Sequence, residues 1–295
     1  MANRPIYMPK TAAPYRTLYS AEFTWNSGLS VSQKRRNVIA LHESFHESFP
    51  EKKVLEISSK SMQEGGVELS AFNLHKFVPS LGKSVPVEVV YHAGKVFRNG
   101  GPYTDLLQGT SREAKKDDRL QNSGALIGFR FEGRDFPLRP QTIFYDYLYL
   151  NALLENEKLA NIVLQYDAFT DIEFNPEKSI SCQANSAALF VSLSRLGLID
   201  KVRNFDDFLG LFEGKSTVIQ PTAVPAAPKP VSAEVPAKEE KPAVSAGDTV
   251  IHRVWQEGTV VSVDGSRVKV RFDTVGEKVL GLSWLVDNCE IRKNS

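Results

Sequence analysis

"KSTVIQPTAVPAAPKPVSAEVPAKEEKPAVSA", Lys215 to Ala246, is built mainly from Pro, Ala, Lys and Glu. Such a stretch cannot bury enough apolar surface to offset the entropy of ordering it, so it reads as an extended, semi-rigid tether. It divides the 295 residues into a larger part, residues 1–214, and a smaller one, residues 247–292. A main domain with an appendage is also what this length favours.

In the larger part, Ser30 followed by Gln33 makes a capping box for a helix from Val31 to Phe49, with Val38, Leu41, Phe45 and Phe49 as its apolar stripe and Pro50 beyond its end. "KKVLEISSKS" reads as a short strand running into a polar turn, and Gly65-Gly66 marks another turn. After Pro140, "QTIFYDYLYLNALLENEKLANIVLQY" carries apolar residues at helical spacing, and a last helix spans Ala184 to Leu198. Helices with a few short strands, lacking regular alternation, imply an α+β domain. Beyond the tether the period changes. "DTVIHRV", "EGTVVSVDG", "SRVKVRFD" and "EKVLGLSWL" are short β-branched runs, and Asp264-Gly265 is a hairpin turn. Four or five such strands suit a small SH3-like barrel.

With 36 basic and 35 acidic side chains the formal charge is +1, so any site for a polyanion is a local patch. The two cysteines, Cys182 and Cys289, flank the tether and form no disulfide framework, which favours reduced thiols. The first twenty residues do not read as a signal peptide and no apolar run reaches bilayer length, so the expected address is the cytoplasm.

His42-Glu43-Ser44-Phe45-His46 is a literal H-E-x-x-H, the pattern with which a helix clasps zinc. Glu47 directly follows the second His and no downstream helix offers a third ligand, so the reading adopted is a solvated or hydrogen-bonded His pair, with no metal or cofactor.

Ser84 to Arg119, "SVPVEVVYHAGKVFRNGGPYTDLLQGTSREAKKDDR", is denser in reactive groups. A helix after Pro86 spaces Glu88, Tyr91 or His92, and Lys95 at i, i+3/4 and i+7, stacking a carboxylate and an amine on one face; a strand, which "VEVV" also permits, sends Glu88 and Lys95 to opposite faces. The order "LSAFNL" (Leu69 to Leu74), "EVVYHAGKVF" (Glu88 to Phe97) and "EAKKDDR" (Glu113 to Arg119) resembles the NADAR (YbiA-like) family. "ISSKS", "GGPYTDLL" and "FTDIEFNPEKS" are similar to its antitoxin branch, paired with DarT-type guanine-specific DNA ADP-ribosyltransferases; the likeness covers about residues 5 to 210. Ala71 and Asn73 replace the wider family's Asn and aromatic residue, His92 its Gln and Asp118 its Gly, differences that bear on small-molecule specificity more than on the catalytic frame. The smaller part resembles the Tudor-like module of UvrD/PcrA-type helicases through "GDTVIHRVWQEGTVVSV" and "VGEKVL", which implies docking to a protein or nucleic acid.

The resemblance implies an ADP-ribosyl N-glycosidase that removes ADP-ribose from guanine in DNA, with single-stranded ADP-ribosylated DNA and a DarT-type toxin as partners. Glycosidic cleavage passes through an oxocarbenium-like state, which calls for a carboxylate beside the anomeric carbon, and Glu88 is the candidate. Lys95 holds the diphosphate, the role placed first, or attacks an opened ribose aldehyde. Lys60 and Ser59 in the "SSKS" turn suit phosphate; Asn73 and His92 are placed against the ligand; Phe72 stacks on a base or fills the core; Gly100-Gly101 permits close backbone approach to the ligand or forms a turn; Arg119 pairs with phosphate or with Asp117 or Asp118; Asp171 and Glu173 orient ribose hydroxyls or a second catalytic proton. Lys34-Arg35-Arg36 with Phe23 and Trp25, and in the barrel Arg253, Trp255, Arg267, Lys269 and Arg271, are candidate grips on nucleic acid or a partner protein. The alternatives are a non-catalytic reader or toxin-binding module and an N-glycosidase acting on small nucleotides.

Overall fold

The computed structural model describes residues 1–175, 182–212, 244–252, 255–264, 267–281, 285 and 289–293. Most of the tether, residues 176–181, Arg253 and Gly265 lie outside the described residues. The chain divides into two compact units, Met1–Ile219 and Gln220–Ser295.

The first unit is α+β. Its strands are β1 (Ala2–Pro9), β2 (Arg16–Phe23), β3 (Val54–Glu56), β4 (His75–Val78), β5 (Lys83–Pro86), β6 (Lys95–Phe97), β7 (Leu126–Phe131), β8 (Arg134–Phe136) and β9 (Ala168–Thr170). Its helices are α1 (Val31–Ser48), α2 (Val87–Ala93), α3 (Ser111–Lys116), α4 (Arg119–Asn122), α5 (Ile143–Leu154), α6 (Glu157–Val163), α7 (Gln183–Arg195) and α8 (Phe205–Gly210). The main sheet has the order β2-β1-β9-β3, with β3 parallel to β9 and the other pairs antiparallel. Alternation along its strands feeds two cores. Ile6, Val54 and Ala168 pack with Val38, Leu41 and Phe45 of α1, whereas Leu55 and Phe169 join α2, α5 and α7 in the larger core. The small β4-β5 hairpin and the β6-β7-β8 meander hold α2 between them in sequence.

The Ser30 hydroxyl accepts the Gln33 N–H at 3.2 Å and α1 ends at Ser48, with Phe49 as its C-cap. The apolar run after Pro140 forms two helices, because the Asn156 side chain accepts the Leu159 N–H and starts α6 afresh. The β1-β2 hairpin contains Pro5 and Pro9, residues that a central strand excludes. β1 nevertheless pairs with β2 throughout, from Ala2↔Phe23 to Pro9↔Arg16, and meets β9 only at Tyr7↔Phe169, so most of its other edge needs no ladder donor.

The second unit is one antiparallel sheet of β10 (Thr249–His252), β11 (Gln256–Asp264), β12 (Arg267–Phe272), β13 (Gly276–Gly281) and β14 (Cys289–Arg292), ordered β13-β12-β11-β10-β14. Val250, Val260, Val268, Val270, Phe272 and Leu285 form its core. A closed barrel was expected. Instead β10 is flanked by β11 and β14 and β12 by β11 and β13, and among the described residues no pairing joins β13 to β14, so the sheet is open. No helix among the described residues is long and apolar enough to cross a membrane.

Candidate active site

The stretch after Pro86 is a helix of only two turns. The Val87 N–H donates to Leu74 O and the Glu88 N–H to Ala71 O, each at 2.9 Å, which ties its start to the preceding loop; Gly94 caps its end. Glu88 and His92 therefore share a face one turn apart, but Lys95 does not continue it. The expected single helical face is corrected here: Lys95 opens β6 and reaches the helix through His92.

The result is a row of contacts. Lys95 Nζ lies 3.1 Å from His92 Nδ1, His92 Nε2 3.2 Å from Glu88 Oε1, and Lys115 Nζ, from α3, 3.1 Å from that same oxygen. Aromatic rings close both ends: Lys95 Nζ is 4.8 Å from the Tyr91 centroid and Lys115 Nζ 5.1 Å from that of Phe72. Glu88 and His92 are buried, while Phe72 is 40% exposed and offers a face to solvent.

Burial pushes the Glu88 carboxyl upward, but hydrogen bonds and charge from His92 and Lys115 outweigh it and leave the group below the usual carboxylate range. Burial also lowers His92, despite Glu88, so the imidazole is neutral at pH 7. With Lys95 donating to Nδ1, the tautomer carries its proton on Nε2 and donates it to Glu88. Burial takes Lys95 down to about 8, with Lys115 adding to the effect and Glu88 opposing it.

A second network lies at β3 and β9. His42 Nε2–H donates to Thr170 Oγ1 at 2.8 Å, and the Thr170 hydroxyl donates to Glu56 Oε2 at 2.6 Å, while the Ile172 N–H reaches Glu56 Oε1 at 2.9 Å. Burial raises the Glu56 carboxyl despite these bonds, and burial plus the charge of Glu56 raises Asp171. Asp171 Oδ1 accepts the backbone N–H groups of Glu173 and Phe174, and its Oδ2 accepts Gln183 Nε2 at 3.0 Å. Gln183 Oε1 accepts the Ala71 N–H at 2.7 Å, and Ala71 O accepts Glu88 N–H, so one peptide unit on each side of Ala71 joins the two networks.

Neither imidazole of the H-E-x-x-H is turned to a shared point: His42 is engaged by Thr170 and His46 Nε2 by Lys52 O at 3.0 Å. His42 is driven down to about 4, first by burial and then by His46. Between pH 6.5 and 4 the unfolded chain binds a proton that the folded one refuses, so folding stability contributed here falls as pH drops through that window. Relative to His42→Gln, the wild-type chain is expected to lose about 3 kcal/mol between pH 7 and pH 4, read from urea denaturation; a difference that stays constant with pH refutes the buried neutral ring.

The remaining candidates separate. Ser59 Oγ donates to Glu173 Oε2 at 2.8 Å, Lys60 Nζ lies 3.5 Å from the same oxygen, and Lys34 Nζ 2.5 Å from Oε1, so these form one group at the mouth of the second network. Asn73 does not face Glu88; its amide donates to Val67 O at 2.9 Å and to Ser70 Oγ at 3.1 Å, closing its own turn. Arg119 is held by Asp105 and Asp117 at 2.7 and 2.8 Å and lies 4.4 Å from the Tyr103 ring centre, leaving Asp118 aside. Phe23 is buried in the α1 core and is not available to stack on a base. In the second unit Lys269 and Arg271 share Glu277 at 2.6 and 2.7 Å.

Gly100 and Gly101 serve β6. Gly101 has φ +84°, and a Cβ there would sit 2.2 Å from the carbonyl oxygen of Lys95. Gly101→Ala is expected to cost about 1–3 kcal/mol, seen as a melting temperature lower by several degrees, and to shift Lys95; an unchanged melt would contradict the contact.

Sequence reading missed Lys115, Glu56 and Gln183. A usable signal existed for the first, since Thr110 and Glu113 form a capping box, both halves of which are present, and this sets the start and phase of α3. Comparison with curated proteins gives no match. A family model, DarT1-associated NADAR antitoxin, matches residues 2–220. This chain, with its Glu88-His92-Lys95 row inside the matched span, belongs to the DarT1-associated NADAR antitoxin family.

Proposed function

We propose that the first unit is an N-glycosidase that removes ADP-ribose from guanine in DNA and so reverses the mark of a DarT-type toxin, acting in the cytoplasm. The observation that carries this reading is the Lys95–His92–Glu88 row: an amine within hydrogen-bond reach of an imidazole that is itself oriented by a carboxylate. That is the arrangement of a nucleophile, its base and an orienting group. It also shifts the preferred role of Lys95 from diphosphate contact to amine nucleophile, because burial at a pKa of about 8 leaves a reactive free-base fraction near neutral pH.

The steps balance with one water. Ribose opens as the C1″–O4″ bond breaks, the guanine nitrogen forms a double bond to C1″, and a proton reaches O4″. The Lys95 amine adds to C1″, with His92 Nδ1 accepting its proton and Glu88 stabilising the imidazolium. The C1″–N bond to guanine then breaks as that nitrogen takes a proton, leaving an imine on Lys95. Water adds to C1″, Lys95 departs protonated, and the released aldehyde recloses to ribose. Guanine has gained hydrogen and C1″ hydroxyl. Asp171 and Glu173 are assigned to ribose contacts, Ser59 and Lys60 to phosphate contacts, and Phe72 to stacking on a base.

Incubation with a single-stranded ADP-ribosylguanine oligonucleotide, followed by mass measurement of the strand, tests the reading. The expected product is the unmodified strand with free ADP-ribose. Tight binding without a mass change would instead support a reader or toxin-binding module, and cleavage confined to free nucleotides a metabolic N-glycosidase. Residues 247–292 are assigned as an SH3/Tudor-like module that docks a protein or nucleic acid, with Arg267 exposed on its surface.

A further inference from the structure

A cavity of about 250 Å³ lies beside Tyr91, lined also by Phe129, Leu138, Arg139, Gln141 and Phe144. Two observations place it next to Lys95. Tyr91 is the ring beneath the Lys95 ammonium. Phe129 is the direct strand partner of Lys95 in the antiparallel β6-β7 pair, and directly opposed residues project to the same face. The space is smaller than the roughly 300–1,000 Å³ of sites for drug-sized ligands, so it suits a single base rather than a whole nucleotide. At its lip Arg139 and Gln141 are exposed and make no hydrogen bond or ion pair among the described residues.

We propose that this cavity receives the modified guanine, turned out of the strand, with Arg139 reading its O6 and N7 edge while C1″ lies at Lys95. Guanine rather than adenine is the occupant for reasons of reach. Guanine is bonded directly to C1″, whereas the adenine of ADP-ribose is separated from it by a ribose, a diphosphate and a second ribose. Arg is the residue whose planar fork matches the two acceptors of guanine, and enzymes that act on a base commonly extrude it into a pocket of this kind. This inference rests on the hydrolase reading for the position of C1″.

The test uses the full chain with Leu138→Trp, which fills the cavity from its exposed lip, and Arg139→Ala. Binding of an ADP-ribosylguanine strand is measured in a Glu88→Gln background, and kcat/KM in the otherwise wild-type protein. Free ADP-ribose, which lacks guanine, serves as the second probe by calorimetry. Each variant is expected to weaken strand binding and kcat/KM by about 5- to 150-fold, with ADP-ribose affinity unchanged. Loss of ADP-ribose affinity in step with strand affinity would assign the cavity to adenosine and overturn the proposal, as would unchanged strand binding. If the protein with Glu88 intact fails to cleave the strand, the hydrolase reading fails by itself; the binding measurements still decide whether guanine occupies the cavity.

Discussion

Changing Lys95 to arginine is expected to lower the single-turnover rate of ADP-ribose removal by about a thousand-fold or more, while strand binding holds within about three-fold. Arginine keeps the positive charge, and so any diphosphate contact, but cannot act as an imine-forming amine at neutral pH. The same reasoning sets the pH profile. Below its pKa of about 8 Lys95 is mainly the ammonium, so the wild-type rate rises with pH toward that value and levels off above it. Borohydride added during turnover traps the imine as a stable adduct on Lys95. A Lys95→Arg protein that keeps more than about a tenth of the rate would return Lys95 to the diphosphate role.

The second large effect belongs to Glu88. Glu88→Gln preserves size and one acceptor oxygen but removes the charge that orients His92 and stabilises its imidazolium. The rate is expected to drop by about 10²- to 10⁴-fold, with a melting temperature within a few degrees of wild type. The carboxylate is ionised well below neutral pH because His92 and Lys115 offset its burial, so no acid limb due to Glu88 is expected near pH 6. In cells carrying the toxin the variant is expected to lose protection. Full protection by Glu88→Gln would favour a binding function over hydrolysis.

Parts of this architecture are legible in the residues alone. The tether composition, the Ser30 cap with its Val38-Leu41-Phe45 stripe, and the β-branched runs of the second unit each depend on near neighbours in the chain. Helical period and capping act over one turn, and alternation acts over a single strand. Once α2 has formed, Glu88 and His92 fall under the same rule, being four residues apart on two turns of helix.

What local rules leave open is how separate elements meet. Whether Lys95 continues a helix or opens a strand turns on Gly94 ending α2 and on β6 finding β7; the "VEVV" run fits either outcome. Lys115 reaches Glu88 from α3, 27 positions along the chain, and Gln183 links Asp171 to Ala71 from α7. The β1-β2 hairpin likewise rests on pairing between elements, since β2 supplies a full ladder on one edge of β1 despite its prolines. Residue types and helical spacing thus mark the tether, the α1 stripe and the β-branched runs, whereas the imidazole partner of Glu88, the amine, the second lysine and the buried carboxylates acquire their places only through packing, because desolvation and cross-element hydrogen bonds have no counterpart in an extended chain.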